Sequence, residues 1–335
     1  MKFSEYMTEW LYGEDGYYAT YKNIGKEGDF YTAVSTSKFF GGTIAKHIIS
    51  LVDEGFLESN AVICEIGAHH GYFLADVCEF LYTLRPELLQ TFNFVIIERF
   101  DDLQKQQKNY FKESFGEAVK LTHYKSLNEL SCKNAFFIAN EIFDAFPCEL
   151  YYKGQTARVQ AHNVEFDCKD DWVTQKAKKY HKDRGEIAIG YEEFAKEMAN
   201  SCEKFEFMSF DYGEMAARPD FSLRIYSKHK VLPFFIPEDN EDYLPRESLF
   251  AKSDITYDVT FAHVKDAYEE AGVEFVELKA QMVALVDMGI LDLLEMLKDK
   301  VDEKLYRQEL EKAKMLILPN FLGERFKMIR FRGEK

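Results

Sequence analysis

The sequence predicts an α/β fold built on a doubly wound, mostly parallel β-sheet. Two short apolar runs, at 61–66 and 93–98, are typical of strands buried on both faces, and a glycine-containing turn follows the first. A third apolar run, at 134–140, follows further stretches of helical periodicity. Strands that alternate with helices at this rhythm form βαβ units in a parallel sheet. Such sheets bind ligands at the carboxyl ends of their strands, so we expect the functional residues there.

The remaining elements follow from the spacing of apolar residues. We predict helices over 37–56, 72–83, 100–115, 191–202, 258–271 and 282–316, and strands near 118–122, 205–211, 273–278 and 325–332. The alternating stretch 149–166 turns around Gly154, which predicts a hairpin outside the main sheet. The charged stretch 167–190 and the proline-containing stretch 219–257 are predicted to be irregular insertions.

Segments of different character define the expected domain organisation. Residues 1–36 alternate tyrosine with glycine, which predicts an ordered, loop-rich cap or lid rather than a packed helical layer. The sheet and its helices would take up 37–147 and 191–335. The insertions at 148–190 and 219–257 would form a subdomain on the substrate side.

Composition and charge disfavour several classes of protein. The 42 basic and 58 acidic residues give a net charge of −16, which repels nucleic acid and suits a basic protein partner. The six cysteines form no CxxC pair, which argues against a zinc module and against a disulfide framework. The sequence has neither an apolar signal segment nor a run of about 18 apolar residues. We therefore expect a reduced, cytoplasmic protein without membrane insertion.

The glycine turn after the first strand is the first candidate site. Residues 67–71 read Gly-Ala-His-His-Gly and lack the middle glycine of a pyrophosphate-binding Gly-x-Gly-x-x-Gly loop. This disfavours a nicotinamide-dependent oxidoreductase. S-adenosylmethionine carries no phosphate and tolerates a more varied loop, with Glu65 near its ammonium group and Glu98 on its ribose hydroxyls. An ordinary strand-to-helix turn is the alternative.

The second candidate site follows the strand at 134–140. Asn140, Glu141 and Asp144 place an amide and two carboxylates where parallel sheets keep their active sites. The carboxylates could grip a cation such as guanidinium, and Asn140 could fix a nitrogen nucleophile. Capping of turns or of a short helix by Asn140 and Asp144 is the alternative.

These segments belong to an ordered series of motifs along nearly the whole chain. The series comprises Leu11–Tyr18, Gly28–Thr32, Phe40–Gly41, Glu65–Asp76, Glu98 with Gln106, Asn140–Pro147, Asp211–Gly213, Asp258–Thr260 with His263–Val264, Gln281 with Gly289–Ile290, and Gly323–Lys327. In this series the chain resembles the MidA family of S-adenosylmethionine-dependent methyltransferases, whose mitochondrial members are assembly factors for respiratory complex I.

The resemblance implies a class I methyltransferase fold, which is Rossmann-like with a mostly parallel seven-stranded sheet. It implies S-adenosylmethionine as the cofactor and methyl transfer to an arginine of a protein substrate, a core subunit of complex I. Combined with the loop after 134–140, it gives Asn140, Glu141 and Asp144 as candidate catalytic residues. The candidate cofactor-binding residues are Phe30, Thr32, Glu65, Gly67, Ala68, His69, Gly71, Glu98 and Asn140.

Departures from the family pattern leave a second hypothesis open. Ala68 is followed by His69 and His70, whereas the family loop usually reads Gly-Pro-Gly or Gly-Ala-Gly. A histidine in place of the expected glycine resists positive φ. The usual Ala-Pro-Glu is replaced by Ala33–Ser35. If His69 weakens cofactor binding, the chain is a catalytically weakened binding protein or assembly chaperone. We predict no metal site at the two histidines, because no acidic residue or cysteine is spaced to complete one. A homodimer is left open.

Three more side chains are weaker candidates for the same site, and Phe30 is a candidate for a second role there. His263 would approach the acceptor, or its segment would cap a helix. Tyr17, Tyr18 and Phe30 would form an aromatic lid that excludes water, or would pack in the core.

Overall fold

The computed structural model describes residues 1–20, 32–227 and 230–335, and the chain divides into two compact units. Unit 1 takes the ranges 1–31, 142–194 and 212–267, and unit 2 takes 32–141, 195–211 and 268–335. No helix in the described part of the chain is long and apolar enough to cross a bilayer.

Fifteen strands and fourteen helices lie in the described residues. The strands are β1 (Val62–Ile66), β2 (Asn93–Ile97), β3 (Leu121–Tyr124), β4 (Cys132–Asn140), β5 (Cys148–Tyr152), β6 (Gln155–Gln160), β7 (Asn163–Cys168), β8 (Arg184–Ala188), β9 (Cys202–Glu214), β10 (Arg224–Ser227), β11 (Lys230–Pro233), β12 (Asp254–Thr256), β13 (Val259–Thr260), β14 (Glu274–Ala280) and β15 (Phe326–Glu334). The helices are α1 (Phe3–Tyr12), α2 (Tyr17–Thr20), α3 (Ala33–Thr36), α4 (Phe39–Asp53), α5 (Tyr72–Leu84), α6 (Pro86–Thr91), α7 (Asp101–Phe115), α8 (Asp171–Lys179), α9 (Tyr191–Ser201), α10 (Arg246–Leu249), α11 (Phe261–Glu270), α12 (Gln281–Asp287), α13 (Ile290–Lys298) and α14 (Glu303–Ile317).

Unit 2 is built on seven strands of an eight-stranded sheet, in the order β14-β15-β9-β4-β1-β2-β3. The eighth strand, the two-residue β13, pairs with the end of β9 at 213–214, which belongs to unit 1. Strands β9, β4, β1, β2 and β3 run parallel, and Ile63 of β1 lies between Phe94 of β2 and Phe136 of β4. Strand β14 runs antiparallel to β15. This arrangement confirms the predicted class I methyltransferase fold. The strand order reverses between β1 and β4, which is where open parallel sheets have their ligand crevice.

Buried apolar residues form the core between the sheet of unit 2 and its helices. Residues 135–139 of β4 are all fully buried, as expected of a central parallel strand. Helix α4 packs against α5, with the ring of Phe40 stacked on Phe73 at 4.8 Å. Gly41 permits this approach, because a Cβ there would lie 2.6 Å from the Cβ of Asp76. Since α5 begins directly after the glycine turn, this packing fixes the far end of the turn.

Unit 1 contains two small antiparallel sheets, in the orders β7-β6-β5-β8 and β11-β10-β12. The predicted hairpin is confirmed: β5 and β6 pair across Lys153 and Gly154, whose φ values are +47° and +87°. The stretches 167–190 and 219–257 are more regular than predicted. The first contains α8 and β8, and Val173, Ala177 and Ile187 from it are buried together. The second supplies the whole of the β11-β10-β12 sheet.

The prediction of a loop-rich cap is wrong for residues 3–12, which form α1. Phe3, Met7 and Trp10 lie at helical spacing and are buried. The indole of Trp10 donates to the carbonyl of Ser253 at 2.6 Å, and its ring lies 5.3 Å from that of Phe250. The glycines that suggested loops begin only after this helix.

Two further boundaries differ from the prediction. Strand β3 begins at Leu121, a few residues later than expected. The helical pattern over 282–316 is three helices, α12 to α14, because Gly289 (φ +90°) breaks it and Asp302 caps the last helix by accepting from the amide of Leu305.

A buried ion cluster joins β9, β15 and α4 in unit 2. The Glu206 carboxylate is fully buried and lies 2.5 Å from His47 Nε2, 2.8 Å from Arg332 Nε and 3.5 Å from Arg330 Nη1. Burial would raise the pKa of Glu206, but His47 and the two arginines lower it below its usual range. The cluster therefore stabilises the sheet while Glu206 is ionised.

We predict that Glu206→Ala lowers the free energy of unfolding by about 3–5 kcal/mol at pH 7, because it leaves buried cations unpaired. Urea unfolding measures the loss. Since the pKa of Glu206 is lowered on folding, its contribution is present above the unfolded-state pKa of about 4.3 and is lost as the pH falls through the folded-state value. Glu203→Ala, at an exposed position of the same strand, should change the stability by at most about 0.5 kcal/mol. Equal losses in the two variants would contradict the assignment.

Candidate active site

The turn between β1 and α5 in unit 2 has left-handed backbone at both of its glycines. The φ values are +70° at Gly67 and +77° at Gly71. The amide of Gly67 donates to the carbonyl of Ile97 on β2 at 3.1 Å, and that of Gly71 donates to the carbonyl of Ala68 at 2.7 Å. A Cβ on Gly71 would lie 3.2 Å from the ring of Phe111. The turn is therefore tight, with Ala68 buried and the backbone of Gly67 exposed.

His69 adopts a left-handed backbone conformation, which a histidine resists. Its φ is +48°, which costs about 1–2 kcal/mol in a residue with a Cβ. The rings of His69 and His70 lie 4.0 Å apart. Burial, and then the neighbouring His70, lower the pKa of His69 to about 3, and burial lowers the pKa of His70. Both rings are neutral at pH 7 and do not repel a cationic ligand.

Glu65 lies at the carboxyl end of β1 with its carboxylate buried. Its Oε2 accepts from the amide of Leu74 in the first turn of α5 at 3.0 Å. Burial raises the pKa of Glu65 to about 8, and this hydrogen bond opposes the rise. Glu65 thus stabilises the first turn of α5. Its contact with a ligand ammonium group stays a prediction.

Glu98 directly follows β2, at the same edge of the sheet. One carboxylate oxygen accepts from the amide of Phe100 at 3.1 Å, and the other lies 3.5 Å from Nε2 of Gln107. Burial raises the pKa of Glu98, and the Phe100 amide and Gln107 oppose the rise. These contacts leave acceptor capacity on the carboxylate, as binding of ribose hydroxyls requires.

Gln107 on α7 is a site residue that the sequence reasoning missed. The resemblance paired Glu98 with Gln106, but Gln106 is exposed and Gln107 is fully buried. The side-chain amide of Gln107 donates to the carbonyl of His69 at 2.7 Å. The sequence could have identified Gln107, because it is a polar residue midway between Leu103 and Phe111 on the apolar face of an amphipathic helix.

Asn140 and Glu141 end β4 in a strained turn. Glu141 has φ +54°, and its amide donates to the carbonyl of Phe210 on β9 at 2.8 Å. Nδ2 of Asn140 donates to Oε1 of Glu141 at 2.8 Å. Oδ1 of Asn140 is buried and has no hydrogen-bond partner among the residues that the structure describes. Strain and an unpaired buried acceptor are both features that concentrate at functional sites.

Asp144, the third candidate catalytic residue, belongs to unit 1. It is buried in a short 3₁₀ turn, Phe143–Ala145. Burial raises the pKa of Asp144 to about 6. A hydrogen bond from Tyr212 and the positive charge of Arg224 oppose this rise. These contacts give Asp144 a structural role in unit 1, and its catalytic role stays a prediction.

The remaining candidate residues lie in different parts of the chain. Thr32 caps α3, where its side chain accepts from the amide of Ser35 at 3.2 Å. Phe30 lies outside the described residues. In unit 1, Tyr17 is buried, and Nε2 of His263 lies 2.9 Å from Oε1 of Glu192. Within the described ranges, no group of three or more His, Cys, Asp or Glu side chains is arranged to hold a metal ion.

Known proteins similar to this chain point to one cofactor. A family model described as "Putative S-adenosyl-L-methionine-dependent methyltransferase" matches residues 43–278. The "Protein arginine methyltransferase NDUFAF7, mitochondrial" of Rattus norvegicus is 22% identical, covering 96% of this chain and 79% of the relative. The protein of that name from Homo sapiens is also 22% identical, with 96% and 78% covered.

A crystal structure of a protein from Burkholderia thailandensis bound to S-adenosyl-homocysteine shares the fold. It matches with a TM-score of 0.79 at 21% identity, covering 99% of this chain and 87% of that one. This match shows the fold, and the family model gives S-adenosyl-L-methionine as the cofactor.

The residues of unit 2 fit this cofactor. The carboxylate of Glu98 offers acceptors to ribose hydroxyls, and the exposed backbone of Gly67 permits close approach to the loop. The neutral rings of His69 and His70 present no charge to the sulfonium. The charge state of the two histidines is therefore compatible with a cationic cofactor.

We predict that Glu98→Ala weakens binding of S-adenosylmethionine by about 1–3 kcal/mol, because the ribose hydroxyls lose their acceptor. Isothermal titration calorimetry measures the dissociation constant. Glu113→Ala, at an exposed position of α7, is the control and should bind as the wild type does. An unchanged affinity in Glu98→Ala would show that Glu98 is not at the ribose.

We also predict that Glu65→Gln flattens the dependence of stability on pH. The folded-state pKa of Glu65, about 8, lies above the unfolded-state value of about 4.3. The folded state binds more protons between these values, so this group makes stability fall as the pH rises, by at most about 1.4 kcal/mol per pH unit. Urea unfolding at several pH values from 5 to 8 compares the two slopes. The same slope in both proteins would contradict a buried, protonated Glu65.

Proposed function

This chain belongs to the family of S-adenosyl-L-methionine-dependent methyltransferases, and we propose that it methylates the guanidinium group of a protein arginine. The substrate proposed from the sequence resemblance is a core subunit of respiratory complex I. One observation carries the arginine proposal: the buried, unpaired Oδ1 of Asn140 beside the carboxylate of Glu141.

This pair of side chains favours a ligand group that brings N–H donors. The hydrogen bond from Nδ2 of Asn140 to Glu141 fixes the amide, so that Oδ1 is the atom left to accept. A buried acceptor without a donor costs about 1–3 kcal/mol, which a bound donor would recover. A guanidinium group has five N–H donors and no acceptor, and it can bind an amide oxygen and a carboxylate together.

Two further observations support a basic protein substrate. The net charge of −16 favours association with basic segments. The curated relatives from Rattus norvegicus and Homo sapiens are named protein arginine methyltransferases.

The proposed mechanism relies on orientation and charge. The bound cofactor supplies a methyl group that is activated by its sulfonium. Glu141 would accept N–H bonds from the guanidinium and offset its positive charge, while Oδ1 of Asn140 would hold a second N–H. As the new N–C bond forms and the C–S bond breaks, Glu141 would take the proton that the nitrogen loses.

We predict that Glu141→Gln lowers the rate of methyl transfer by about 10²–10³-fold, because the amide can neither offset the charge nor take the proton. The dissociation constant for S-adenosylmethionine should stay within about twofold. Transfer from radiolabelled cofactor measures the rate, and calorimetry measures binding. Glu113→Gln is the exposed control. Undiminished transfer would remove Glu141 from the mechanism.

The substrate is tested with matched basic peptides. Arginine peptides and their lysine counterparts are incubated with labelled cofactor, and mass spectrometry locates the methyl group. Methylarginine supports the proposal, whereas methyllysine alone would overturn it. Cofactor binding without transfer to any basic peptide or complex I subunit would favour the weakened binding protein, which the strained φ of His69 motivates. Intact masses of complex I core subunits, with and without this protein, test the proposed target.

A further inference from the structure

We propose that Gln107 is a positioning residue for the cofactor: its side-chain amide joins the His69 turn, the Glu98 carboxylate and His123. The proposal concerns cofactor binding in unit 2 and does not depend on the identity of the methyl acceptor. All four residues belong to unit 2.

A side-chain amide is unusual at position 107, because the neighbouring buried positions on this face of α7 are apolar. It is fully buried on α7, one turn after Leu103 and one turn before Phe111, which are both buried core residues. A leucine would suit the packing of this helix face. A buried glutamine instead requires partners for two donors and an acceptor.

The amide has a partner for each of these functions. Nε2 lies 2.7 Å from the carbonyl oxygen of His69 and 3.5 Å from Oε2 of Glu98. Oε1 lies 2.9 Å from Nε2 of His123 on β3. The carbonyl and the carboxylate can only accept, so the NH₂ group must face them and the oxygen must face His123. The orientation of the amide is therefore unique.

His123 is suited to hold this orientation. Burial, with a contribution from Lys108, lowers the pKa of His123 to about 4, so the ring is neutral at pH 7. Nε2 then carries the proton that it donates to Gln107. Nδ1 is buried and has no hydrogen-bond partner in the described part of the chain. The ring thus acts as a donor toward Gln107 alone.

The hydrogen bond from Gln107 to His69 stabilises the strained backbone of the cofactor turn. His69 holds φ +48° without the freedom of a glycine. A hydrogen bond to its carbonyl fixes the peptide that follows and so stabilises the left-handed turn. The same amide lies against the carboxylate expected at the ribose. One side chain therefore sets the distance between the two parts of the cofactor site.

The test compares Gln107→Leu and Gln107→Glu with Gln106→Ala. The leucine variant keeps the bulk and removes the amide, and the glutamate variant keeps the shape but replaces the NH₂ group with a carboxyl oxygen beside Glu98. Gln106 is the matched control, because it is the adjacent, exposed glutamine. Calorimetry gives the dissociation constant for S-adenosylmethionine, and thermal unfolding gives stability. Hydrogen exchange of the ligand-free protein reports on the amides of residues 67–74.

Both Gln107 variants should bind the cofactor about tenfold to a hundredfold more weakly than the wild type, and exchange at 67–74 should be faster. The KM of the acceptor should not change, and Gln106→Ala should behave as the wild type in every measurement. If Gln107→Leu does not fold, Gln107→Glu carries the test.

The proposal is overturned if the folded variants keep the wild-type affinity and the wild-type exchange at 67–74, even with a lowered melting temperature. That result would make Gln107 a core residue only. Failure of arginine methylation with normal cofactor binding would leave this inference standing, so the two proposals fail separately.

Discussion

The reversal of strand order between β1 and β4 is the constraint on which the rest of unit 2 depends. It gathers the carboxyl ends of neighbouring parallel strands at one edge of the sheet, although the residues there are far apart in the chain. Residues 94–97 of β2 and 135–139 of β4 are buried and apolar. Glu98 and the Asn140–Glu141 pair are therefore the first polar side chains at the carboxyl ends of these two strands.

The same burial makes polar groups at this edge costly. Glu65 and Glu98 have raised pKa values because their carboxylates are withdrawn from water. His69 and Glu141 hold left-handed backbone without being glycine. Such costs persist where surrounding structure imposes them, and a ligand that supplies donors or charge recovers part of them. The free form of unit 2 is thus less stable because of these groups, at the edge where we expect the cofactor.

Most of this edge could be predicted from the sequence, because apolar runs and the residues that end them are local signals. The left-handed backbone of His69 and Glu141 could not, since neighbouring strands and helices impose it. Gln107 was missed because its function depends on partners distant in sequence. The helix α1 was missed for a different reason: the tyrosines and glycines beyond Tyr12 outweighed a helical pattern only ten residues long. The strands of 219–257 are too short to give a periodic signal.

The position of β15 has a consequence for how the protein reaches its final state. This strand lies between β9 and β14, although it follows both of them in the chain. Until residues 326–334 leave the ribosome, β9 and β14 keep open edges of the kind that invite mispairing. Contacts across such long sequence separations also form slowly. Completion of the sheet therefore follows synthesis of all its other strands.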